Sequence, residues 1–218
     1  PIAKRFLRIS EWFAVKFSHA VIADNDAISS YLSSKYSVTS RTIAYGGDHA
    51  ITGVEVDSCG DYALSICRVE PENNVGLILS AFAQTDHKLV FVGNWRKSKY
   101  GRDLRDRFSG CINITMLDPI YDVDALAKLR SQCNVYVHGH SAGGTNPSLV
   151  EIMHFAKPIL CFDCAYNRST TCNQASYFES ELDLVEKLAK CPCGSDDTMK
   201  RIAQQRYMWK DICTQYEL

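Results

Sequence analysis

The chain has 218 residues, 46% of them hydrophobic, and a net charge of −1 from 24 basic and 25 acidic side chains. That is enough apolar material for a substantial core in one or two domains. The balanced charge, with no dense Lys/Arg stripe, argues against a nucleic-acid footprint, and no apolar run nears the roughly 18 residues of a membrane span.

Pro1 opens the chain with no signal-like segment behind it, which we read as truncation rather than processing. Residues 1–46 read as helix, strand, helix, strand, with AVIAD (20–24) and TIAY (42–45) as the strands. AYGGDHA follows, its paired glycines suited to a sharp turn or hinge. From there short buried strands alternate with helical patterns. The strands are YALSIC (62–67), KLVFVG (88–93), INIT (112–115), NVYVH (134–138) and PILCFD (158–163). The helical patterns are VGLILSAFAQT, GRDLRDRFSG, VDALAKLRSQC and NPSLVEIMHFA. In the first of these Val75, Ile78, Leu79 and Phe82 form one apolar stripe. Such alternation predicts an α/β fold, a Rossmann-like parallel sheet with helices on both faces. Residues 198–218 read as one long polar helix whose Ile202, Tyr207, Trp209, Ile212 and Tyr216 need a surface to cover them.

The ten cysteines point to reduced thiols rather than to a metal site. Cys67, Cys133 and Cys161 lie in apolar surroundings, where a thiol behaves as a small hydrophobe. Cys161 with Cys164 and Cys191 with Cys193 are close pairs, but zinc wants two well-spaced pairs and one of these starts inside a buried strand.

Ligands of open parallel sheets sit beyond the carboxyl ends of the strands. Three loops there carry chemistry: Arg68 to Asn74 after the first strand of the unit, Asn94 to Lys97 after the second, and HGHSAGGTNP (138–147) after the fourth. In the last, Gly143 and Gly144 let backbone amides approach an anion, and Asn146 followed by Pro147 forms a helix start with free N–H groups. An ordinary strand-to-helix turn would use the same residues. Glu151 lies one turn further into an apolar helix, where a carboxylate needs donors: the two hydroxyls of a ribose, or a salt bridge. If the ribose is the partner, Glu151→Ala should weaken ligand binding and leave the fold intact. Arg68 is placed to reach a diphosphate, or else pairs with Glu70 or Glu72.

Taken in order, AYGGDH, SICRVEPENN, FVGN, YVHGHSAGGTNPSLVE and YNRSTT resemble the C-terminal half of retaining GT-B glycosyltransferases, and most of all the bacterial polysaccharide branch that includes rhamnosyltransferases. The resemblance implies three pieces: residues 1–46 as a remnant of the N-terminal acceptor domain, 47–197 as the nucleotide-sugar domain, and 198–218 as a helix crossing back. It implies Arg68 as the catalytic residue that contacts the donor diphosphate. Asn73 stands where relatives carry a lysine, so a second cation is missing. Gly144, Thr145 and Asn146 match the phosphate-contacting turn, with Ser148 and Leu149 also at the donor. Glu151 matches the ribose-binding glutamate that closes an E-x7-E motif, whose first glutamate falls at Gly143. His140 or Ser141 would replace it at the sugar, while His138 is a packed histidine or a further contact.

The implied activity is hexosyl or rhamnosyl transfer with retention, from a nucleotide-diphosphate sugar to a saccharide or lipid-linked acceptor in surface polysaccharide or lipopolysaccharide synthesis. The implied setting is cytoplasmic, with peripheral membrane contact by the full-length protein and with neither metal nor organic cofactor. The truncated chain alone is expected to be inactive. Base recognition is expected from LDPIYD (117–122). A nucleotide-sugar binding protein without transfer activity is the alternative. A dinucleotide-dependent oxidoreductase fits less well, because CRVEPENN offers no GxGxxG.

Overall fold

A computed structural model of the chain describes residues 2–54, 60–191 and 195–217. Its first piece comprises α1 (Ile2–Phe17), β1 (Ile22–Ala23), α2 (Asp26–Tyr36) and β2 (Arg41–Thr42), with the two short strands paired in parallel. The main unit then runs β3 (Ala63–Ile66), α3 (Val75–Ala83), β4 (Leu89–Val92), α4 (Lys99–Arg107), β5 (Ile114–Leu117) and α5 (Val123–Gln132). It continues through β6 (Val135–His138), α6 (Pro147–Met153), β7 (Ile159–Phe162), α7 (Ala165–Thr170), β8 (Ser176–Phe178) and α8 (Glu181–Lys190), and ends in α9 (Asp197–Arg206) and α10 (Trp209–Tyr216).

The six strands β3–β8 form one parallel sheet in the order β5-β4-β3-β6-β7-β8. Strand order therefore reverses between β3 and β6, where Ala63 pairs with Val135 and Leu64 with Tyr136. Loops leaving adjacent strands at such a point diverge to opposite sides and open a crevice at the carboxyl edge. Alternation along the strands feeds two cores. Ala63, Leu89, Phe91, Val135 and Val137 pack with Ile78, Leu79 and Phe82 of α3 and Leu184 and Leu188 of α8. Leu64, Val92, Tyr136 and Cys161 pack with Leu149, Val150, Ile152 and Met153 of α6 and Met199 and Ala203 of α9. The doubly wound α/β fold expected from the alternation is the fold observed.

Three details differ from the sequence reading. The third strand of the unit starts at Ile114 rather than 112, because the Asn113 amide donates to the carbonyls of Phe82, Thr85 and His87 and ties the chain down just before it. An eighth strand, β8, extends the sheet edge. The tail is two helices, not one: it breaks at Tyr207, whose hydroxyl donates to Thr170 O and whose carbonyl accepts the Gly47 amide. Tyr207 and Ile212 are buried, whereas Trp209 and Tyr216 are exposed.

The paired glycines at 46–47 act through closeness. A Cβ on Gly46 would meet the Trp209 ring and one on Gly47 would lie 2.8 Å from the Val150 backbone, so the turn packs between α10 and α6. Cys67, Cys111, Cys161, Cys164, Cys172 and Cys213 are free thiols, and burial pushes the Cys67 thiol up to about 12, which leaves it inert. Cys193, half of the CxC pair, lies outside the described residues.

Candidate functional site

β3 delivers Arg68 to the carboxyl edge of the sheet. The side chain is exposed, and no ion pair joins it to Glu70 or Glu72 among the described residues. Its backbone is fixed from behind, because the Asn73 amide donates to the Arg68 carbonyl at 2.8 Å. Asn73 is itself buried, and its Oδ1 meets His140 Nδ1 at 2.7 Å. Since the amide nitrogen is committed to Arg68, the oxygen accepts, and the imidazole carries its proton on Nδ1. Asn73 thus links the loops after β3 and β6, and is held away from the cleft.

A cleft of about 390 Å³ opens beside Arg68. Arg68, Asn94, Lys97, Pro119, Ile120, Tyr121 and Ser148 are among its lining residues. Lys97 is the residue that sequence reasoning passed over: it stood in a loop noted as chemically loaded, but nothing local tied it to Arg68. Ile120 and the exposed Tyr121 come from the LDPIYD segment, so the stretch expected to meet a base forms a wall of the same cleft.

The loop after β6 forms the other side of the switch point. Gly139 is buried, and a Cβ there would collide with the Asn73 carbonyl, so glycine is needed for the loops to approach. Ser141 donates from both its amide (2.9 Å) and its hydroxyl (2.7 Å) to Glu72 O, pinning the loop to the Arg68 segment. Gly143 has φ +108°, a conformation that favours glycine. The amides of Gly143 and Gly144 take no acceptor among the described residues. Asn146 caps α6 by accepting from the Ser148 amide at 3.0 Å.

Two of the expected side-chain contacts are otherwise engaged. Leu149 is fully buried in the core, so only its backbone could face a ligand. The Thr145 hydroxyl, also buried, donates to Asp24 O and accepts from the Asn25 amide at 3.2 Å, which ties the loop to the first piece of the chain.

Glu151 has protein partners. One oxygen is bonded to Arg130 of α5, and the other lies 3.3 Å from His49 Nε2. Arg130 is 5% exposed and Glu151 16%, so this is a largely desolvated pair, and Glu151 does not line the 390 Å³ cleft. His138, at the end of β6, is buried and stacks on Tyr136 at 6.2 Å; burial drives its pKa down to about 3, so it is neutral. Its Nε2 has no hydrogen-bond partner among the described residues. His140 is half-buried, and burial followed by the nearby Arg68 charge lowers its pKa too.

This geometry has a family. Residues 55–191 match the model of the glycosyl transferases group 1. The chain belongs to that family. No curated protein sequence matches it. Several solved structures share its fold. One is Anabaena HepE in complex with UDP and glucose, at TM-score 0.80 and 16% identity, covering 96% of this chain and 65% of that one. Another is the sucrose-phosphate synthase of Thermosynechococcus elongatus, at TM-score 0.79 and 16% identity, covering 95% and 59%. TarM follows at TM-score 0.70 and 14% identity, covering 93% and 43%. This group 1 chain therefore spans less than two thirds of the length of the structures that it resembles.

Proposed function

We propose that this chain is the donor-binding half of a retaining GT-B glycosyltransferase, and that a nucleoside-diphosphate sugar lies along the switch-point crevice. The observation that carries the proposal is the cleft joining Arg68, Lys97 and Ser148 to the 119–121 wall. It combines cations for a diphosphate with an apolar and aromatic face for a base. Arg68 binds the diphosphate, and Lys97 supplies the second cation that Asn73 lacks. The free amides of Gly143 and Gly144 face the end of the donor where the diphosphate joins the sugar. Glu151 takes the ribose hydroxyls on the oxygen that now faces His49, with Arg130 holding the carboxylate in place. UDP-containing complexes of HepE support a nucleotide-sugar donor.

In the reaction, the bond from the anomeric carbon to the diphosphate breaks and a bond to the acceptor oxygen forms on the same face. The acceptor proton passes to the departing phosphate oxygen. Donors fixed before the reaction stabilise that developing charge without reorganising, which is the chief source of rate in such sites. We assign residues 1–46 to an acceptor domain that extends beyond them, and 198–218 to a segment that crosses back. On this reading the acceptor is a saccharide or lipid-linked saccharide, the sugar a hexose or rhamnose, and the setting bacterial surface polysaccharide synthesis. This chain alone would bind donor without transferring it.

The test is calorimetric titration with nucleoside diphosphates and with the matching free nucleosides. Arg68→Ala should weaken diphosphate binding by roughly ten- to a hundredfold, the worth of one or two charge-assisted hydrogen bonds. Nucleoside binding should be almost unaffected. Equal losses for both would mean that Arg68 shapes the cleft and does not meet the phosphates.

A further inference from the structure

Gly143 and Gly144 bring no side chains of their own to the loop, yet two polar groups from elsewhere stand over them. The first is Asp24, at the end of β1. A Cβ on Gly144 would fall on the Asp24 carboxylate, so the missing side chain is what lets the acid in. Asp24 is held there by its neighbours: its own carbonyl accepts from the Thr145 hydroxyl, and the Asn25 amide spans Thr145 Oγ1 (3.2 Å), Tyr166 O (3.3 Å) and Thr170 Oγ1 (3.2 Å). No cation pairs with its carboxylate among the described residues, and burial raises its pKa above the ordinary carboxylate value. The second group is His140. With its proton on Nδ1 facing Asn73, its Nε2 is an acceptor, 3.3 Å from where a Gly143 Cβ would be.

Two acceptors thus flank consecutive glycines beside the proposed diphosphate site. A carboxylate there repels phosphate, and neither group can pair with an anion. The chemistry that fits is a set of hydroxyl donors carried next to a diphosphate, which is the sugar of a nucleoside-diphosphate sugar. We infer that Asp24, together with His140 Nε2, binds hydroxyls of the transferred sugar, and that Asp24 is a specificity-determining residue supplied from 120 positions away in the chain. The inference rests on the donor-site reading above, and adds to it a residue that no motif around the loop contains. It also explains why position 143 can be glycine: the acceptors come from the side.

The experiment is titration calorimetry on the chain with UDP, dTDP and GDP, each beside a sugar conjugate (UDP-glucose, dTDP-rhamnose and GDP-mannose). Asp24→Asn keeps the shape and removes the charge. For whichever conjugate the wild type prefers over its bare diphosphate, the variant should lose at least tenfold in affinity. Binding of the bare diphosphate should stay within about twofold or tighten, since a like charge has gone. Asp24→Ala, which removes the acceptor altogether, should give the same split, with melting curves checking that both variants fold. Parallel loss for conjugate and diphosphate in both variants would overturn the inference, as would no loss in either, or a wild type that prefers no conjugate to its diphosphate. A wild type that binds no nucleoside diphosphate at all would instead fail the donor-site reading, and this inference with it.

Discussion

Glu151 shows how a residue's role changes once its neighbours are known. In the sequence it is a lone acid in an apolar helix; in the structure it neutralises Arg130, which is buried and whose Nε has no partner among the described residues. Removing one member of a desolvated pair leaves the other charge uncompensated, at a cost of about 3–5 kcal/mol. The expectation that Glu151→Ala would leave the fold intact is therefore replaced. Glu151→Ala should lower the denaturation midpoint markedly in urea titrations, while Glu151→Ala combined with Arg130→Met should recover much of the loss. Ligand affinity is best read in Glu151→Gln, which keeps the shape and one carbonyl acceptor for Arg130. A denaturation midpoint unchanged in Glu151→Ala would show that Arg130 finds another partner.

At the level of elements, the site depends on how closely two loops approach. The strand carrying Arg68 and the strand carrying His138 are adjacent and parallel, and their following loops touch at Gly139, against the Asn73 carbonyl. Gly139→Ala inserts a methyl where backbone already stands. Overpacking of this kind costs typically about 1–3 kcal/mol, but the more telling result is functional. The loop after β3 must shift, and Arg68 with it, so nucleoside-diphosphate binding should fall about tenfold or more although Gly139 meets no ligand. A control, Gly110→Ala, places its Cβ in open space and should leave both binding and stability unchanged. Calorimetry and thermal melts on the pair would separate the two effects; full binding by Gly139→Ala would mean that the loops can part without consequence.

For the whole molecule, the conspicuous surface is α1. Among the large side chains most exposed are Ile2, Phe6, Leu7, Ile9, Trp12, Phe13 and Phe17, and no residue of the helix is buried. Ile2, Phe6, Ile9, Phe13 and Phe17 follow helical spacing, so they make one apolar stripe. Lys35 bonds Glu11 at 2.8 Å and secures the helix to α2, but an exposed pair of this kind contributes little. Contiguous apolar patches on that scale drive association. The 218-residue chain should therefore oligomerise with rising concentration in sedimentation experiments, and Phe6→Ser with Phe13→Ser should shift it towards monomer. A monomer at all concentrations would show that the stripe is covered within the chain.

Local sequence was sufficient for whatever depends on local physics. Apolar runs bounded by Gly, Asn and Asp marked four of the eight strands to within about a residue at each end, and 3.6-residue spacing marked α3, because burial periodicity is written into consecutive residues. The loop 138–148 was readable for the same reason: glycines, a cap and a proline act on their own backbone. What the sequence could not determine were partners far apart in the chain. Arg130 meets Glu151 and Lys97 joins Arg68 through the strand order β5-β4-β3-β6-β7-β8, while Asp24 meets Gly144 and His49 meets Glu151 from segments that precede that sheet and pack on it. The three-residue β8 and the break at Tyr207 belong with these, since neither carries a period of its own and each exists because a neighbouring strand or carbonyl supplies its hydrogen bonds. Tertiary structure decided which polar groups face one another at the carboxyl edge of an otherwise ordinary Rossmann-like sheet, because only the fold brings residues so far apart in the chain within reach.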